Sequence, residues 1–323
     1  MSDATEAPRA TAPRDTRPVY HPSPVFGRVH IIINPASGAD EPVLKPLNTA
    51  LNELGIDWDI TITRGPGDAE QAARKAVDDG ADVLAVYGGD GTVLDASCGL
   101  VDTDVPLLIL PGGTANVISV ELGIPRRLSE ALALLVADAS QLRSVDMGRA
   151  GDHYFFHLGM GIEGDMIKEA TREEKDKSGL LAYVTSALRN VRAKPPVRYR
   201  MTLDGEEIEV EGVNLMITNF GSVGVGNLSL SNAIDMSDGL MDVLVVHKVD
   251  LKGVVEAAAG AIANGEVGQP LSQWQVREAK VIADPPQTMT RDGEVHEAHE
   301  VHAHVVPHAV RIVIPQESQA EGE

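Results

Sequence analysis

The stretch Val83–Thr92, VLAVYGGDGT, constrains this chain more than any other part of it. An apolar run predicts a short buried strand, glycines follow directly, and we expect a helix to open at Thr92. A strand that ends in glycines and continues as a helix presents backbone N–H groups, an arrangement that favours phosphate binding. Asp90 lies within the turn, and a carboxylate beside phosphates indicates a divalent cation such as Mg²⁺ between them. Taken alone, these residues also fit an ordinary turn between a strand and a helix.

Strand-like and helix-like segments alternate between residues 29 and about 140. The predicted strands are Val29–Ile33, Trp58–Thr63, Val83–Tyr87 and Val105–Leu110. The predicted helices are Glu41–Leu54, Ala69–Asp79 with Asp68 as its N-cap, Val93–Leu100 after Thr92, a helix from Val117, and Ser129–Val136. This alternation predicts a parallel sheet that is covered by helices on both faces.

Three glycine-bearing turns follow strands of this predicted sheet directly. They read NPASG at 34–38, GGDGT at 88–92 and PGGTAN at 111–116. In parallel sheets ligands bind beyond the carboxyl ends of the strands, so we expect the three turns to gather at one edge. Their convergence is a stronger signal for a phosphate site than any one turn.

The pattern changes after Val145, where short strands follow one another with few helices between them. The predicted strands are Tyr154–Leu158, Val197–Leu203, Ile208–Val213, Leu215–Thr218, Met241–Val246, Glu278–Ala283, Val301–Val306 and Val310–Ile314, and the chief helices are Leu180–Arg192 and Leu251–Asn264. This pattern predicts an antiparallel β-sandwich. The predicted organisation is a disordered tail at 1–25, an α/β domain at 26–144, a β-sandwich domain at 145–315 and a disordered tail at 316–323.

The charge of the chain excludes several classes of function. The net charge is −21 and the isoelectric point is about 4.8, which argues against a nucleic-acid partner and against a generally basic membrane-binding surface. Cys98 is the single cysteine, so no intrachain disulfide forms and a reducing cytoplasm is expected. We find no secretory signal and no apolar run of the roughly 18 residues that a membrane span needs.

The three turns, taken together and in this order, resemble the diacylglycerol kinase catalytic-domain family, which includes bacterial lipid kinases and sphingosine kinases. GMGIEGDM at 159–166, the loop Asp235–Leu240 and the sequence Asp292-Gly293-Glu294 resemble further motifs of that family. GGDGT alone also occurs in NAD kinases and phosphofructokinases. The resemblance covers about residues 28–315 and implies an ATP-dependent lipid kinase. It implies a nucleotide-binding α/β domain, a β-sandwich domain and an active site in the cleft between them.

The turns carry side chains and backbone groups that suit a nucleotide. The glycines and Thr92 can donate to phosphates, Asp90 can hold Mg²⁺ on them, and small polar residues of the neighbouring turns suit phosphate or ribose. By resemblance alone, Thr63 and Gly67 border the adenine pocket. The expected nucleotide-binding residues are Asn34, Ser37, Gly38, Thr63, Gly67, Gly88, Gly89, Asp90, Gly91, Thr92, Gly113, Thr114 and Asn116.

Glu294 is the candidate general base. An alcohol does not lose its proton unaided at neutral pH, and a carboxylate whose pKa is raised by burial can accept that proton. Asp292 is expected beside it, where it helps to orient the substrate or a metal. Asp-Gly is also a plain hairpin turn, and the sequence alone favours that interpretation. The family resemblance favours the catalytic role over the plain turn.

The resemblance also implies two sites outside the reaction centre. Asp235, Asp238 and the carbonyl of Leu240 resemble a structural Mg²⁺ site, for which a solvated acidic turn is the alternative interpretation. Asp165 matches a position linked to recognition of the lipid head group. Glu163 and Gly164 depart from the residues usual there, which leaves the acceptor lipid open.

Two further clusters of side chains are weaker candidates for functional sites. His296, His299, His302, His304 and His308 match no standard zinc spacing, although a metal site is possible. The basic cluster consists of Arg189, Arg192, Lys194, Arg198 and Arg200 and suits either anionic lipid head groups or solvent.

The expected function is that of a cytoplasmic lipid kinase. It uses ATP and Mg²⁺ and acts transiently at the inner face of the membrane, and a homodimer is the assembly considered. Diacylglycerol is the default acceptor, and a sphingoid base or another lipid is the alternative within the family. A soluble kinase of the NAD kinase type and a nucleotide or lipid sensor without catalysis are alternatives from other classes.

Overall fold

The structure is a computed structural model that describes residues 19–38, 42–161, 195–222, 231, 233–247, 271–292, 294–297 and 300–316. These residues form two compact units. The α/β unit comprises the described residues between Arg17 and Asp146 and those from His308 onward. The β unit comprises those from Met147 to Pro307.

Strands and helices alternate in the α/β unit. In chain order they are β1 (Tyr20–Pro22), β2 (Arg28–Ile33), α1 (Leu44–Leu54), β3 (Asp57–Ile62), α2 (Asp68–Asp78), β4 (Val83–Gly88), α3 (Asp90–Leu100), β5 (Leu107–Pro111), α4 (Val117–Glu121), α5 (Leu128–Leu132) and β6 (Ser140–Ala150), with short 3₁₀ turns at Ala133–Leu135 and Ala137–Ala139.

The sheet of the α/β unit is parallel, as predicted. Its order is β3–β2–β4–β5, with Ile31 beside both Ile60 and Ala85, and Val86 beside Ile109. Every residue of β4 is buried. A strand of this kind reads as a continuous apolar run because neighbouring structure covers both of its faces.

The β unit contains the remaining strands. They are β7 (His153–Phe155), β8 (His157–Gly161), β9 (Val197–Leu203), β10 (Glu206–Gly212), β11 (Asn214–Thr218), β12 (Met241–Val246), β13 (Leu271–Val276), β14 (Glu278–Asp284), β15 (Thr288–Arg291), β16 (Glu294–Glu297) and β17 (Glu300–Pro315). The strand β17 runs through Pro307, so its last residues belong to the α/β unit.

Two antiparallel sheets face each other in the β unit. One has the order β10–β9–β14–β17, and the other has the order β13–β12–β11–β8–β15–β16. Tyr199 and Val281 of the first sheet share one buried cluster with Met160, Ile217 and Val243 of the second. The predicted β-sandwich is therefore confirmed.

The structure corrects the predicted start of two helices. The helix α3 begins at Asp90 and not after Thr92, since Gly89 takes the extended N-cap conformation and Asp90 already has helical backbone. The helix α2 begins at Asp68, and its N-cap is Gly67 with a φ of 81°. The Asp68 carboxylate instead accepts the backbone N–H groups of residues 64 and 65 and closes the preceding turn.

Other differences come from contacts between distant parts of the chain. The predicted disordered tail is wrong at Tyr20–Pro22, which pairs with residues 141–143 of β6. The two strands predicted over 301–314 are the single strand β17. Its residues from His308 onward, which the prediction placed in the second domain, pack in the α/β unit.

Several predictions fall on residues that the structure does not describe. They concern the helices Leu180–Arg192 and Leu251–Asn264 and both tails, apart from residues 19–25 and 316. Across the described segments we find no helix whose length and apolar character would let it span a membrane.

Candidate active site

The three glycine-bearing turns of the α/β unit meet, as the sequence predicts. The N–H of Asn34 donates to the carbonyl of Tyr87 at 2.9 Å, which joins the first turn to the end of β4. The N–H of Gly112 donates to the carbonyl of Gly88, also at 2.9 Å, which joins the third turn to the second. The Asn34 amide in addition donates to the hydroxyl of Thr92 at 2.9 Å. The predicted convergence is therefore confirmed.

Two glycines are required by the close approach of these turns. A Cβ on Gly113 would lie 2.6 Å from the Cα of Gly89, a backbone atom that cannot move aside. A Cβ on Gly88 would lie 2.6 Å from the Cβ of Thr92. Glycine at these positions therefore packs the site together, independently of any ligand.

Tyr87 supports the turns in a way that the sequence does not reveal. A Cβ on Gly38 would collide with the Tyr87 hydroxyl, and one on Gly112 would lie 3.0 Å from the Cζ of the same ring. The ring therefore packs against both the first and the third turn. In the sequence Tyr87 is only the last residue of an apolar run, and a large residue directly before two glycines was the available signal.

Asp90 lies where the first turn of α3 meets the start of α4. Its Oδ1 accepts the N–H of Ile118 at 3.2 Å, and the residue is partly exposed. A carboxylate in the first turn of a helix is favoured by the helix dipole. The partial positive charge of the same N-terminus favours phosphate, so a cation held by Asp90 would offset the repulsion between the two anions.

The two asparagines of the site brace the turns. Asn116 donates to the carbonyl of Gly113 at 2.7 Å and accepts the N–H of that residue at 2.8 Å. Asn34 accepts the N–H of Ala36 at 3.0 Å while its amide binds Thr92. Their carboxamides thus shape the turns, whereas the sequence suggested direct contacts to phosphate or ribose. Ser37 is partly exposed and Thr114 is exposed at the surface of these turns.

The candidate adenine-side residues lie after β3. The N–H of Thr63 donates to the carbonyl of Ile33 at 2.9 Å, and the Thr63 residue is buried. The N–H of Gly67 donates to Asp95 of α3 at 2.8 Å. The turn that carries Gly67 is therefore anchored to the helix that begins with Asp90, a role of Asp95 that the sequence pattern does not reveal.

Arg126 is a second residue of the site whose role was not predicted from the sequence. Its guanidinium donates to the carbonyl of Thr114 at 3.1 Å, so an exposed cation lies beside the third turn. A basic residue shortly after a phosphate-type turn was the available signal. Such a guanidinium suits an anionic ligand because it offers several donors in one plane.

Substitution of Gly91 can test whether a ligand binds beside it without disturbing the packing of the protein. A Cβ there would meet no protein atom within 4 Å, and the residue lies exposed in α3. We expect Gly91→Ala to keep or raise the free energy of unfolding by up to about 1 kcal/mol, because alanine favours helix. We expect the same substitution to weaken ATP binding at least about tenfold by filling space beside the phosphates.

Gly113→Ala is the matched variant, because its Cβ would collide with protein backbone. It should lower both the melting temperature and the ATP affinity, measured by thermal unfolding and by calorimetry. Normal ATP affinity in the Gly91→Ala protein would show that phosphates do not lie against Gly91.

The turn at Asp292 belongs to the β unit and shortly precedes Glu294. Asp292 has a φ of 45°, and its N–H donates to the carbonyl of His157 at 2.9 Å. Its carboxylate accepts the N–H groups of Phe156 and His157 at 3.3 and 3.0 Å. Burial raises the pKa of Asp292 to about 7, against the effect of the His157 ring and of these hydrogen bonds. The described contacts of Asp292 therefore fix the turn against β8.

Glu294 is the first residue of β16 and pairs with Arg291. Only its backbone lies within the described part of the chain. Asp165, the candidate head-group residue, lies outside the described residues, as do residues 162–166 of the glycine-rich motif.

The candidate metal loop is folded by its own carboxylates. Asp235 accepts the N–H of Ser237 at 2.9 Å, and Asp238 accepts the N–H of Leu240 at 3.0 Å. The second oxygen of Asp238 accepts the amide of Gln275 at 3.2 Å. The loop thus places two carboxylates within a few residues of the carbonyl of Leu240, the third predicted ligand.

A third carboxylate lies behind this loop and was not predicted. Asp242 is 1% exposed, its Oδ1 accepts the amide of Gln273 at 2.6 Å, and its Oδ2 has no partner in the described part of the chain. Burial raises the pKa of Asp242 to about 7, and the charges of Asp238 and Asp235 add to that effect. Nearby acidic groups of this kind fit a cation.

The described part of the chain contains no cluster of three His, Cys, Asp or Glu side chains that could hold a metal on its own. A cation at the loop would therefore need a backbone oxygen such as that of Leu240 as well. Of the histidine cluster, His302 contacts Glu278 at 2.5 Å and His308 lies 3.8 Å from Asp146. Within the basic cluster, Arg198 pairs with Glu209 and Glu211.

Mg²⁺ should raise the melting temperature of the protein if the loop holds it. Asp238→Asn should remove most of this increase, because asparagine keeps an acceptor for Leu240 but loses the charge. The measurement is thermal unfolding with Mg²⁺ and with a chelator, without nucleotide. An exposed residue of another loop, Asp152, provides the control variant Asp152→Asn. Equal responses of Asp238→Asn and the unmodified protein to Mg²⁺ would contradict the assignment.

Comparisons with known proteins cover nearly the whole of the chain. Residues 28–150 match the family described as the diacylglycerol kinase catalytic domain, and residues 158–314 match the family described as the YegS C-terminal NAD kinase beta sandwich-like domain. A diacylglycerol kinase of Mycobacterium tuberculosis is 32% identical over 233 residues, which cover 69% of this chain and 74% of that protein. A probable lipid kinase YegS-like protein of Xanthomonas euvesicatoria is 29% identical over 303 residues, which cover 89% of this chain and 96% of that protein.

A solved structure extends the likeness to the fold. A crystal structure of a diacylglycerol kinase from Bacillus anthracis superposes with a TM-score of 0.70 at 22% identity and covers 91% of this chain and 99% of that one. The two matched families, the identity to the mycobacterial enzyme and the shared fold agree with the motifs of the three turns. The chain therefore belongs to the diacylglycerol kinase catalytic-domain family of lipid kinases.

Proposed function

We propose that this protein is an ATP- and Mg²⁺-dependent kinase that transfers the γ-phosphoryl group of ATP to a lipid hydroxyl, with diacylglycerol as the default acceptor and phosphatidic acid as the product. The observation that carries the proposal is the meeting of three glycine-bearing turns at the point where Asp90 opens α3. Membership in a family of lipid kinases supports it.

The phosphates of ATP are assigned to the three turns. Gly91 leaves room for them, because a Cβ there would meet no protein atom within 4 Å, and the helix N-terminus at the start of α3 favours an anion. Mg²⁺ held by Asp90 would neutralise phosphate charge. Arg126 adds a cation beside the third turn. Positioning and charge neutralisation of this kind supply most of the catalysis in phosphoryl transfer.

Glu294 is assigned as the base that activates the acceptor. The lipid hydroxyl oxygen bonds to the γ-phosphorus, the bond from that phosphorus to the β,γ-bridging oxygen breaks, and ADP leaves. The hydroxyl proton passes to the Glu294 carboxylate as the new bond forms. Asp292 holds the turn that leads into Glu294 through its bonds to residues 156 and 157.

The acceptor is assigned as a lipid, and not as NAD, on the strength of the relatives. The M. tuberculosis and X. euvesicatoria proteins are described as a diacylglycerol kinase and a probable lipid kinase. Since diacylglycerol lies in a bilayer, we propose that the enzyme works in the cytoplasm and meets the inner membrane face transiently. A sphingoid base or another lipid of similar shape is the alternative acceptor, because fold does not fix substrate.

A panel of acceptors tests this proposal. The protein is incubated with labelled ATP and Mg²⁺ and with mixed micelles of diacylglycerol, monoacylglycerol, ceramide or sphingosine, with NAD and a sample lacking acceptor alongside. We expect label in the diacylglycerol sample above the other lipids. Label only in NAD would replace the proposal with the soluble kinase, and ATP binding without any labelled product would favour the sensor.

A further inference from the structure

The ends of two neighbouring strands flank the first residues of β8 in the β unit. The strand β11 ends at Thr218 opposite His157, and β15 ends at Arg291 opposite Leu158. The N–H of Asn219 donates to the carbonyl of Phe156 at 3.1 Å. Asn219 therefore lies on one side of the segment 156–157, and the Asp292 carboxylate binds the same segment through the N–H groups of both residues.

The carboxamide of Asn219 is an anomaly in this structure. The residue is 1% exposed, and neither its Nδ2 nor its Oδ1 has a hydrogen-bond partner in the described part of the chain. The neighbouring hydroxyl of Thr218, also buried, bonds to the carbonyl and the N–H of Phe220 at 3.1 and 3.2 Å. Leaving a buried polar group unsatisfied costs about 1–3 kcal/mol, so an unsatisfied amide needs an explanation.

Packing alone does not explain an asparagine at this position. A leucine has nearly the same shape and would fill the space without an unsatisfied donor and acceptor. A carboxamide becomes favourable there once a ligand supplies the missing acceptor and donor together. The position beside the turn that leads into Glu294 makes the acceptor of the reaction the natural ligand.

The chemistry of a carboxamide selects among possible ligands. Its Nδ2 donates and its Oδ1 accepts, so it suits a molecule that carries a hydroxyl close to a carbonyl or a second oxygen. An acylglycerol has this pattern, with a free hydroxyl next to an ester. A phosphate fits poorly, because its acceptor oxygens would face the Oδ1 of Asn219.

We propose that Asn219 is a substrate-binding residue whose carboxamide receives the hydroxyl and the adjacent ester of an acylglycerol before the reaction. The hydroxyl then turns its proton from the Oδ1 of Asn219 to Glu294 as the bond to phosphorus forms. This inference rests on the proposed function and deepens it by naming a residue that selects the acceptor. Both amide atoms are covered in this structure, so the lipid reaches them by displacing the groups that cover them.

The variant Asn219→Leu tests the inference, because it removes both hydrogen-bonding groups while it keeps the size of the side chain. We expect at least about a tenfold increase in KM for 1,2-dioctanoylglycerol, equivalent to the loss of one or two hydrogen bonds. KM for ATP should stay within about twofold, since the nucleotide turns lie in the other unit. The melting temperature should be unchanged or higher, because the unsatisfied amide is gone.

A structural role predicts the opposite pattern and would overturn the inference. If a buried water satisfies Asn219, the Asn219→Leu protein should melt at a lower temperature and retain the KM for dioctanoylglycerol. The control variant Thr218→Val removes a hydroxyl that bonds to backbone, so it should lower the melting temperature without a selective change in that KM.

Binding without ATP separates this inference from the proposed function. Calorimetry with 1,2-dioctanoylglycerol should show at least about tenfold weaker binding to Asn219→Leu than to the unmodified protein. Equal binding to both proteins, with an active kinase, would overturn the role of Asn219 alone. A protein that neither binds nor phosphorylates dioctanoylglycerol, or any lipid of the acceptor panel, would overturn both proposals.

Discussion

Replacement of Asp90 by asparagine is expected to lower kcat/KM for ATP at least about 100-fold, the scale on which single electrostatic groups act in active sites. Asparagine keeps the oxygen that accepts the N–H of Ile118, so the contact between α3 and α4 survives. The variant loses the charge that would hold Mg²⁺ against the phosphates. Steady-state kinetics with varied ATP and Mg²⁺ measures the effect.

The fold of the Asp90→Asn protein should persist. Loss of a charge from the first turn of a helix changes the free energy of unfolding by about 1 kcal/mol or less. Asp78→Asn removes an exposed charge from the end of α2 and should leave the kinetics unchanged. Activity of Asp90→Asn within about threefold of the unmodified protein would show that the acidic group of this turn does not serve the reaction.

Replacement of Glu294 by glutamine is expected to lower kcat by about 100-fold to 10,000-fold, the usual contribution of a general base. Glutamine matches glutamate in size but cannot accept the hydroxyl proton. KM for ATP should change by less than about twofold, because the base is not assigned a role in nucleotide binding. The turn before Glu294 keeps its anchor, since the Asp292 carboxylate holds it against residues 156 and 157.

The pH dependence distinguishes a base from a residue that merely supports the turn. For the unmodified protein, kcat should fall as pH drops through the pKa of the base, whereas the residual kcat of Glu294→Gln should show no such step. Glu207→Gln, an exposed position on β10, is the control for charge. A Glu294→Gln enzyme with near-normal kcat and the same pH profile would remove Glu294 from the mechanism.

The sequence was sufficient to predict that the three glycine-bearing turns meet, because its signals are local. A buried strand followed by glycines specifies a turn within a few residues, and β2, β4 and β5 each end in one. Alternation of strands and helices makes the sheet parallel, and a parallel sheet brings the ends of its strands together. The bonds of Asn34 to Tyr87 and to Thr92 confirm that geometry.

Features that depend on distant parts of the chain could not be predicted in this way. Tyr20–Pro22 has no strand pattern of its own and becomes a strand by pairing with β6. The sequence predicts that a strand ends before Pro307 and His308, yet β17 continues through them. His308 takes a φ of 53°, and its N–H donates at 2.6 Å to the buried carboxylate of Asp146. No local pattern reports such a contact.

The burial and the hydrogen bonding of individual side chains could not be predicted from the sequence for a related reason. Asp242 lies in an apolar strand, and only the folded β unit shows that it is buried near two other carboxylates. Asn219 reads as an ordinary turn residue until its burial and its unsatisfied amide are known. The sequence indicates only that Tyr87 is a core residue, whereas the structure shows its ring packed against the first and the third turn. Burial is a property of the tertiary structure, so such roles emerge only from coordinates.

Transfer of labelled phosphate from ATP to diacylglycerol tests the central claim most directly. Purified protein, γ-labelled ATP and Mg²⁺ are incubated with diacylglycerol micelles, and the organic extract is counted after removal of ATP. We predict labelled phosphatidic acid in the extract, loss of that label with a chelator, and at least about 100-fold less label with Asp90→Asn. An unlabelled extract from folded, ATP-binding protein, with no label in any other lipid offered, would contradict the account.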